Sequence, residues 1–146
     1  MIGEPTPAGQ ASTQALSARE AFVVLLVASA RSDGSVSPHE ANQIEHVVSA
    51  MKLFRGSTLE ARNTIFTAAA ERIKQRGTDH VLREAAAMIP KELAVTTFAL
   101  AVDLMLSDGR LTENEQRFAD ELRTMLNIDR EMGGRIVDVL TIKNAG

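Results

Sequence analysis

Two stretches of the chain, 21–30 and 98–106, are apolar almost without interruption, and each runs into the same short polar sequence. After the first come Ser32, Asp33, Gly34, Ser35, Val36, Ser37, Pro38, His39 and Glu40. After the second come Ser107, Asp108, Gly109, Arg110, Leu111, Thr112, Glu113, Asn114 and Glu115. The offset is 75 residues throughout, as from Ser32 to Ser107, and the shared pattern is Ser-Asp-Gly-x-(Leu/Val)-(Ser/Thr)-x-x-Glu. A repeated pattern of this kind predicts a helix–turn–helix unit used twice. A helix that is apolar all round has no face to give to solvent, so the two apolar stretches are expected at the centre of the fold.

The remaining pattern is helical from end to end. Residues 3–14 are polar and rich in Gly and Pro, which predicts a flexible tail over 1–16 before a single domain at 17–146. Ser17 and Glu20 have the spacing of a capping box, in which the hydroxyl accepts the N3 amide and the carboxylate reaches back to the N-cap amide. They open a first helix running to about Arg31. Ser37 and Glu40 repeat the box, with Pro38 at the first helical position, where its missing N–H costs nothing. Ile44, Val47, Val48 and Met51 follow at helical spacing.

Gly56 ends that segment, and Ser57 with Glu60 predicts a third box. The third helix carries Leu59, Ile65, Phe66, Ala69, Ala70 and Ile73 and stops near Gly77. A fourth, over 79–88, buries Val81, Leu82 and Ala85, with Ile89 just beyond it. Pro90 starts the fifth, and Thr112 with Glu115 caps the sixth, which carries Phe118, Leu122, Met125 and Leu126. Asp129 caps the seventh, whose apolar positions are Ile136, Val137, Leu140 and Ile142, with Gly133 and Gly134 marking a kink or close packing. No stretch alternates as a strand would. The fold class is all-α: seven helices in two pseudo-twofold-related helix–turn–helix halves around two buried central helices.

Composition fits that picture. At 146 residues the chain is long enough for one well-filled core. Hydrophobic residues make up 45% and aromatics only 3%, so Ala, Leu and Val build the interior, a diet that suits helices. The absence of Cys excludes disulfides, thiolate metal sites and cysteine nucleophiles. The first 14 residues carry neither a basic region nor an apolar segment, and the apolar runs fall short of the ~20 residues that span a bilayer. No transmembrane segment is expected, and the default location is cytoplasmic. Net charge is −3: residues 1–100 hold ten acidic and ten basic side chains, and residues 101–146 hold nine acidic against six basic. An acidic surplus disfavours duplex nucleic acid, and so few aromatics disfavour stacking on single strands.

Chemistry, if any, belongs at the hinges. Asp-Gly followed six residues on by Glu matches the second half of an EF-hand loop. The first half is missing, since its ligand positions fall on Ser29 and Arg31 in one copy and on Leu104 and Leu106 in the other. Turn and capping chemistry accounts for both Asp-Gly pairs and for Glu40 and Glu115 without any ligand. Asp103 is different. It interrupts the most apolar segment of the chain, its counterpart in the first copy is Ala28, and a carboxylate in such surroundings needs a partner. With Asp108, Glu113 and Glu115 nearby in the chain it forms an oxygen-rich set suited to a hard divalent cation, Ca²⁺ or Mg²⁺. The competing partner is an arginine, Arg117 or Arg31, or backbone amides. His39, His46 and His80 are spaced as surface or capping residues. Neither a phosphate-cradling loop nor a Ser-His-Asp spacing occurs, so the residues make no case for catalysis.

The segment 101–109 through Glu115, then Leu126-Asn127-Ile128 and the closing Ile142-Lys143-Asn144, resembles the TerB-like tellurite-resistance family, and 28–40 is similar to that family's other helix–turn–helix. The resemblance covers roughly 17–144. It implies an all-helical, seven-helix domain with duplicated halves and an acidic cluster holding a divalent metal. Carried over position by position, that cluster is Asp33 and Glu40 in the first copy and Asp103, Asp108 and Glu115 in the second. It implies further a non-enzymatic module of stress-response assemblies linked to tellurite resistance, with protein partners, some at the membrane. The competing class is a metal-dependent hydrolase built on the same carboxylates, which would need an open coordination position and an adjoining pocket.

Overall fold

A computed structural model of the protein describes residues 16–30 and 36–145, except the side chain of Asp108. Residues 1–15 of the tail expected over 1–16, and the first hinge, including Arg31 and Asp33, lie outside the described residues. The described residues form seven α-helices and no strand: α1 (Ala18–Ala30), α2 (Pro38–Ala50), α3 (Leu59–Arg76), α4 (Thr78–Met88), α5 (Ala94–Met105), α6 (Glu113–Met125) and α7 (Arg130–Lys143). Short 3₁₀ turns lie at Lys52–Phe54, Lys91–Leu93 and Leu106–Asp108.

Helix α1 is the axis of the molecule. Every residue from Ala21 to Ser29 is buried, and α3, α4 and α5 pack around it, with α2 alongside. Each of Phe22, Leu25, Leu26 and Val27 contributes about 1.5–3 kcal/mol by leaving water. Helix α5 is the second rod and carries α6 and α7 on its other side. The buried hydroxyls of these two rods are turned back onto their own helices: Ser29 Oγ donates to Leu25 O and Thr97 Oγ1 to Leu93 O, each at 2.7 Å. No buried polar group is thereby left unpaired in either rod's interior.

Three capping boxes have the expected geometry. Ser17 and Glu20, Ser37 and Glu40, and Thr112 and Glu115 each exchange a pair of bonds of 2.8–3.1 Å. The fourth is corrected by one residue. Thr58, not Ser57, caps α3 by accepting from Ala61 N at 3.0 Å, while Ser57 Oγ turns back to Phe54 O at 2.6 Å. Pro90 opens a 3₁₀ turn rather than the helix itself, and α5 starts at Ala94. Leu16, placed with the tail by composition, is buried in the core.

The segment between α2 and α3 contributes an anchor the pattern did not single out. Phe54 is buried 6.1 Å from the Phe22 ring, with the Arg19 guanidinium 5.5 Å from its centroid. Arg19 Nε also donates to Leu53 O at 2.9 Å. Arg62 closes the same segment from α3: it grips Glu45 through both carboxylate oxygens at 2.8–3.1 Å and donates to Ser57 O at 2.9 Å. The hydrogen-bonded Glu45 carboxylate raises the pKa of that guanidinium.

Two expected core positions are instead exposed, Leu59 at the start of α3 and Ile142 near the end of α7. Ile136, Val137 and Leu140 pack against the core, and Ile142 sits on the far side of the same helix. Gly133 is explained by close packing: a Cβ there would lie 2.5 Å from Arg123 Cδ, whereas Gly134 faces open space.

Candidate functional site at the end of α5

The site is built from the last turn of α5, the hinge after it and the end of α7. Alternation of helix faces puts Asp103 on the outward side of α5 while Ala101, Val102, Leu104 and Met105 go inward. The carboxylate is therefore not enclosed by apolar atoms, as the composition of the segment alone would have it. It opens on a cleft of about 360 Å³ between α2, α5 and the end of α7, lined among others by His39, Asn42, His46, Ser107 and Lys143.

Among the described residues Asp103 has two partners, and neither is an arginine; Arg31, one of the expected partners, lies outside them. Lys143 Nζ lies across both carboxylate oxygens, 3.1 Å from Oδ1 and 3.3 Å from Oδ2. Asn144 Nδ2 donates to Oδ1 at 2.8 Å and also to Leu140 O at 2.8 Å. Leu140 O also accepts from the Asn144 backbone N–H at 3.0 Å, so this one residue both finishes α7 and ties it to α5. In the sequence Lys143 and Asn144 are a polar pair at the end of an amphipathic helix, singled out only by the family resemblance. No local spacing rule joins them to a carboxylate 40 residues earlier. Arg117, one of the expected partners, is exposed on α6.

The other singled-out carboxylates are placed as follows. Glu40 and Glu115 each give Oε1 to the backbone N–H of their own N-cap, at 2.9 Å in both copies. Asp33 lies outside the described residues, and of Asp108 the backbone alone is described. That backbone ends the 3₁₀ turn, with Gly109 N donating to Leu106 O at 2.8 Å and Gly109 itself at φ +106°, where a side chain would be strained. Among the described residues no three Asp, Glu or His groups come together as a metal-ligand set. Asp103 is the one described carboxylate of the expected set that opens on the cleft, and its Oδ1 takes both the Lys143 ammonium and the Asn144 amide.

The histidines separate by location. His39 and His46 are exposed on α2 and line the Asp103 cleft. His80 lies elsewhere, 2.8 Å from Arg76 Nη2 and 3.6 Å from Glu84 Oε2, in a cross-link between α3 and α4.

A sequence model of the family described as "Tellurite resistance protein TerB" matches residues 19–136, from the first turn of α1 into α7. No curated protein and no solved structure matches the chain. No single helix is long and apolar enough to cross a membrane among the described residues.

Proposed function

The chain belongs to the TerB tellurite-resistance family, and from that premise we propose that it is a cytoplasmic, non-enzymatic interaction module of the tellurite-resistance and stress-response type, which takes a divalent cation at its second hinge. Asp103, Asp108 and Glu115 would hold Ca²⁺ or Mg²⁺, with Asp33 and Glu40 the corresponding positions of the first hinge. The ion would supply positive charge that organises the hinge. The observation that carries this reading is the position of Asp103. A carboxylate stands in an otherwise uncharged helix where packing does not require one, at the mouth of a cleft, with its oxygens shared by a lysine that is more than half exposed. A pair so open to water is worth little and can be exchanged. The partner is a protein, at the membrane surface in some assemblies, drawn to the acidic surplus of 101–146 that α6 displays through Glu113, Asp120 and Glu121.

Thermal melts in chelator and in millimolar Ca²⁺ or Mg²⁺ test the cation. Wild type should gain stability with the ion by mass action, about 2.7 kcal/mol at a hundredfold excess over Kd. Asp103→Asn should lose most of that gain, and Asp33→Asn less of it, because Ala28 stands opposite Asp103 in the first copy. Equal melts with and without metal in all three proteins would leave both hinges as turn and cap alone.

The cleft beside Asp103 is also what a metal-dependent hydrolase would need. Ion-dependent hydrolysis by the purified protein, abolished by Asp108→Ala, would put that reading first.

A further inference from the structure

The outward face of α7 has no partner among the described residues. Val139 and Ile142 are the two most exposed large hydrophobic side chains described, at 63% and 75%, and Met132 is exposed on the same side. Met132, Arg135, Val139 and Ile142 follow one another at steps of three, four and three, the a/d spacing of a coiled-coil seam. The inner face of the helix is already committed, through Gly133, Ile136, Val137 and Leu140. At its first turn the seam continues onto a groove that Met132 shares with Ile89 and Val95, the latter also exposed. An apolar seam of this length on a monomer's surface is a cost unless something covers it.

We propose that what covers it is a second copy of this chain, its α7 packed antiparallel on the first about a twofold axis at the level of Val137. The argument is the seam's self-complementarity, which an isologous interface demands. In that register Met132 of one copy meets the partner's Ile142, and the alkyl stem of Arg135 lies over the partner's Val139. The same register puts each Arg135 guanidinium beside the partner's Asp138, so the two charges nearest the axis are opposite in sign on either side. Among the described residues Arg135 is held only by Glu131, 3.0 Å away, in a pair that is 70% and 77% exposed. Asp138 makes no ion pair among the described residues, so both groups can enter an intermolecular pair without breaking a buried one. A parallel pairing would set Arg135 against Arg135 and Asp138 against Asp138. Two 14-residue helices reach only the low end of specific interface areas. The dimer is therefore weak and concentration-dependent, and the Met132–Val95 rim adds to it.

Sedimentation velocity on the full chain, from about 10 µM to about 1 mM, tests this over the range where weak complexes dissociate. Wild type should pass from monomer to dimer. Ile142→Glu should raise the dimer dissociation constant by about tenfold or more, because it sets a charge against the partner's apolar Met132. The position is exposed, and unchanged helicity and melting would show that the fold survives. Arg135→Asp alone should weaken the dimer through like charges at the axis, and Arg135→Asp with Asp138→Arg should restore it. Leu59→Glu, at an exposed apolar residue on α3, should have no effect. A wild type that stays monomeric throughout overturns the proposal. So does a dimer indifferent to Ile142→Glu, or one that the double charge reversal fails to recover.

Discussion

Lys143 Nζ reaches both carboxylate oxygens of Asp103, at 3.1 and 3.3 Å, across 40 residues of chain. Together with Asn144 it ties the last turn of α7 to the last turn of α5, at the point where the second hinge begins. The Lys143 side chain is 58% exposed and that of Asp103 27%, so solvent screens most of the Coulomb attraction. Metal-free Asp103→Asn and Lys143→Ala should each cost less than about 1 kcal/mol in urea unfolding. Asparagine at 103 keeps an acceptor for the Asn144 amide, so it should be the milder of the two. A loss of several kcal/mol from either would mean that the contact is buried in solution.

The two hinge caps offer a matched pair. Ser37 and Thr112 occupy equivalent places in the repeat, and their bonds to Glu40 and Glu115 agree in length, 2.9 and 3.1 Å in each. Ser37→Ala and Thr112→Ala should each destabilise by about 1 kcal/mol, the usual worth of an N-cap. Chemical denaturation in chelator would measure both. A much larger loss at one position would show that its hinge does more than start a helix.

Adjacent glycines in α7 should respond with opposite sign. Gly134 faces open space, so Gly134→Ala should stabilise by about 0.5–1 kcal/mol through helix propensity. Gly133→Ala brings a methyl to within 2.5 Å of Arg123 Cδ. That side chain is tethered by Nη1 to Ile128 O at 2.8 Å. It also sits beside the αL turn at Asn127, where Ile128 N returns to Arg123 O at 3.1 Å. Moving Arg123 disturbs this stop to α6, so Gly133→Ala should come out less stable than wild type. Thermal melts that ranked the two variants equally would refute the packing account.

Phe54 and Ile142 test the core assignment directly. Phe54→Ala removes a buried ring from contact with Phe22 and should cost about 3–5 kcal/mol. Ile142→Ala, at low protein concentration, should change stability by no more than about 0.5 kcal/mol, as surface substitutions do. Reversal of that order would place the two residues on the wrong sides of the boundary.

Most helices were legible because their determinants are local. A capping box joins groups three residues apart, and an all-round apolar run such as 21–29 can satisfy itself only at the centre. The same rules slipped where two neighbours qualified equally. Ser57 and Thr58 are both good caps, and the 3₁₀ turn that seats Phe54 leaves Ser57 bonded backward and Thr58 at the helix start. Ile142 shows another limit. Residue type says that a side chain prefers to be buried, but the positions of α5 and α6 decide which side of α7 is covered.

The candidate site divides in the same way. The sequence by itself determined that the turn of the second hinge needs Gly109, that Glu40 and Glu115 are placed to cap, and that Asp103 must find a partner. Only the tertiary structure decided that the partners are Lys143 and Asn144, that the carboxylate opens on a cleft with α2, and that α7 turns an apolar seam outward. The reason is range. Capping and helical periodicity are satisfied within a turn or two of chain, whereas an ion pair or an exposed face is fixed by how separate helices are packed against one another.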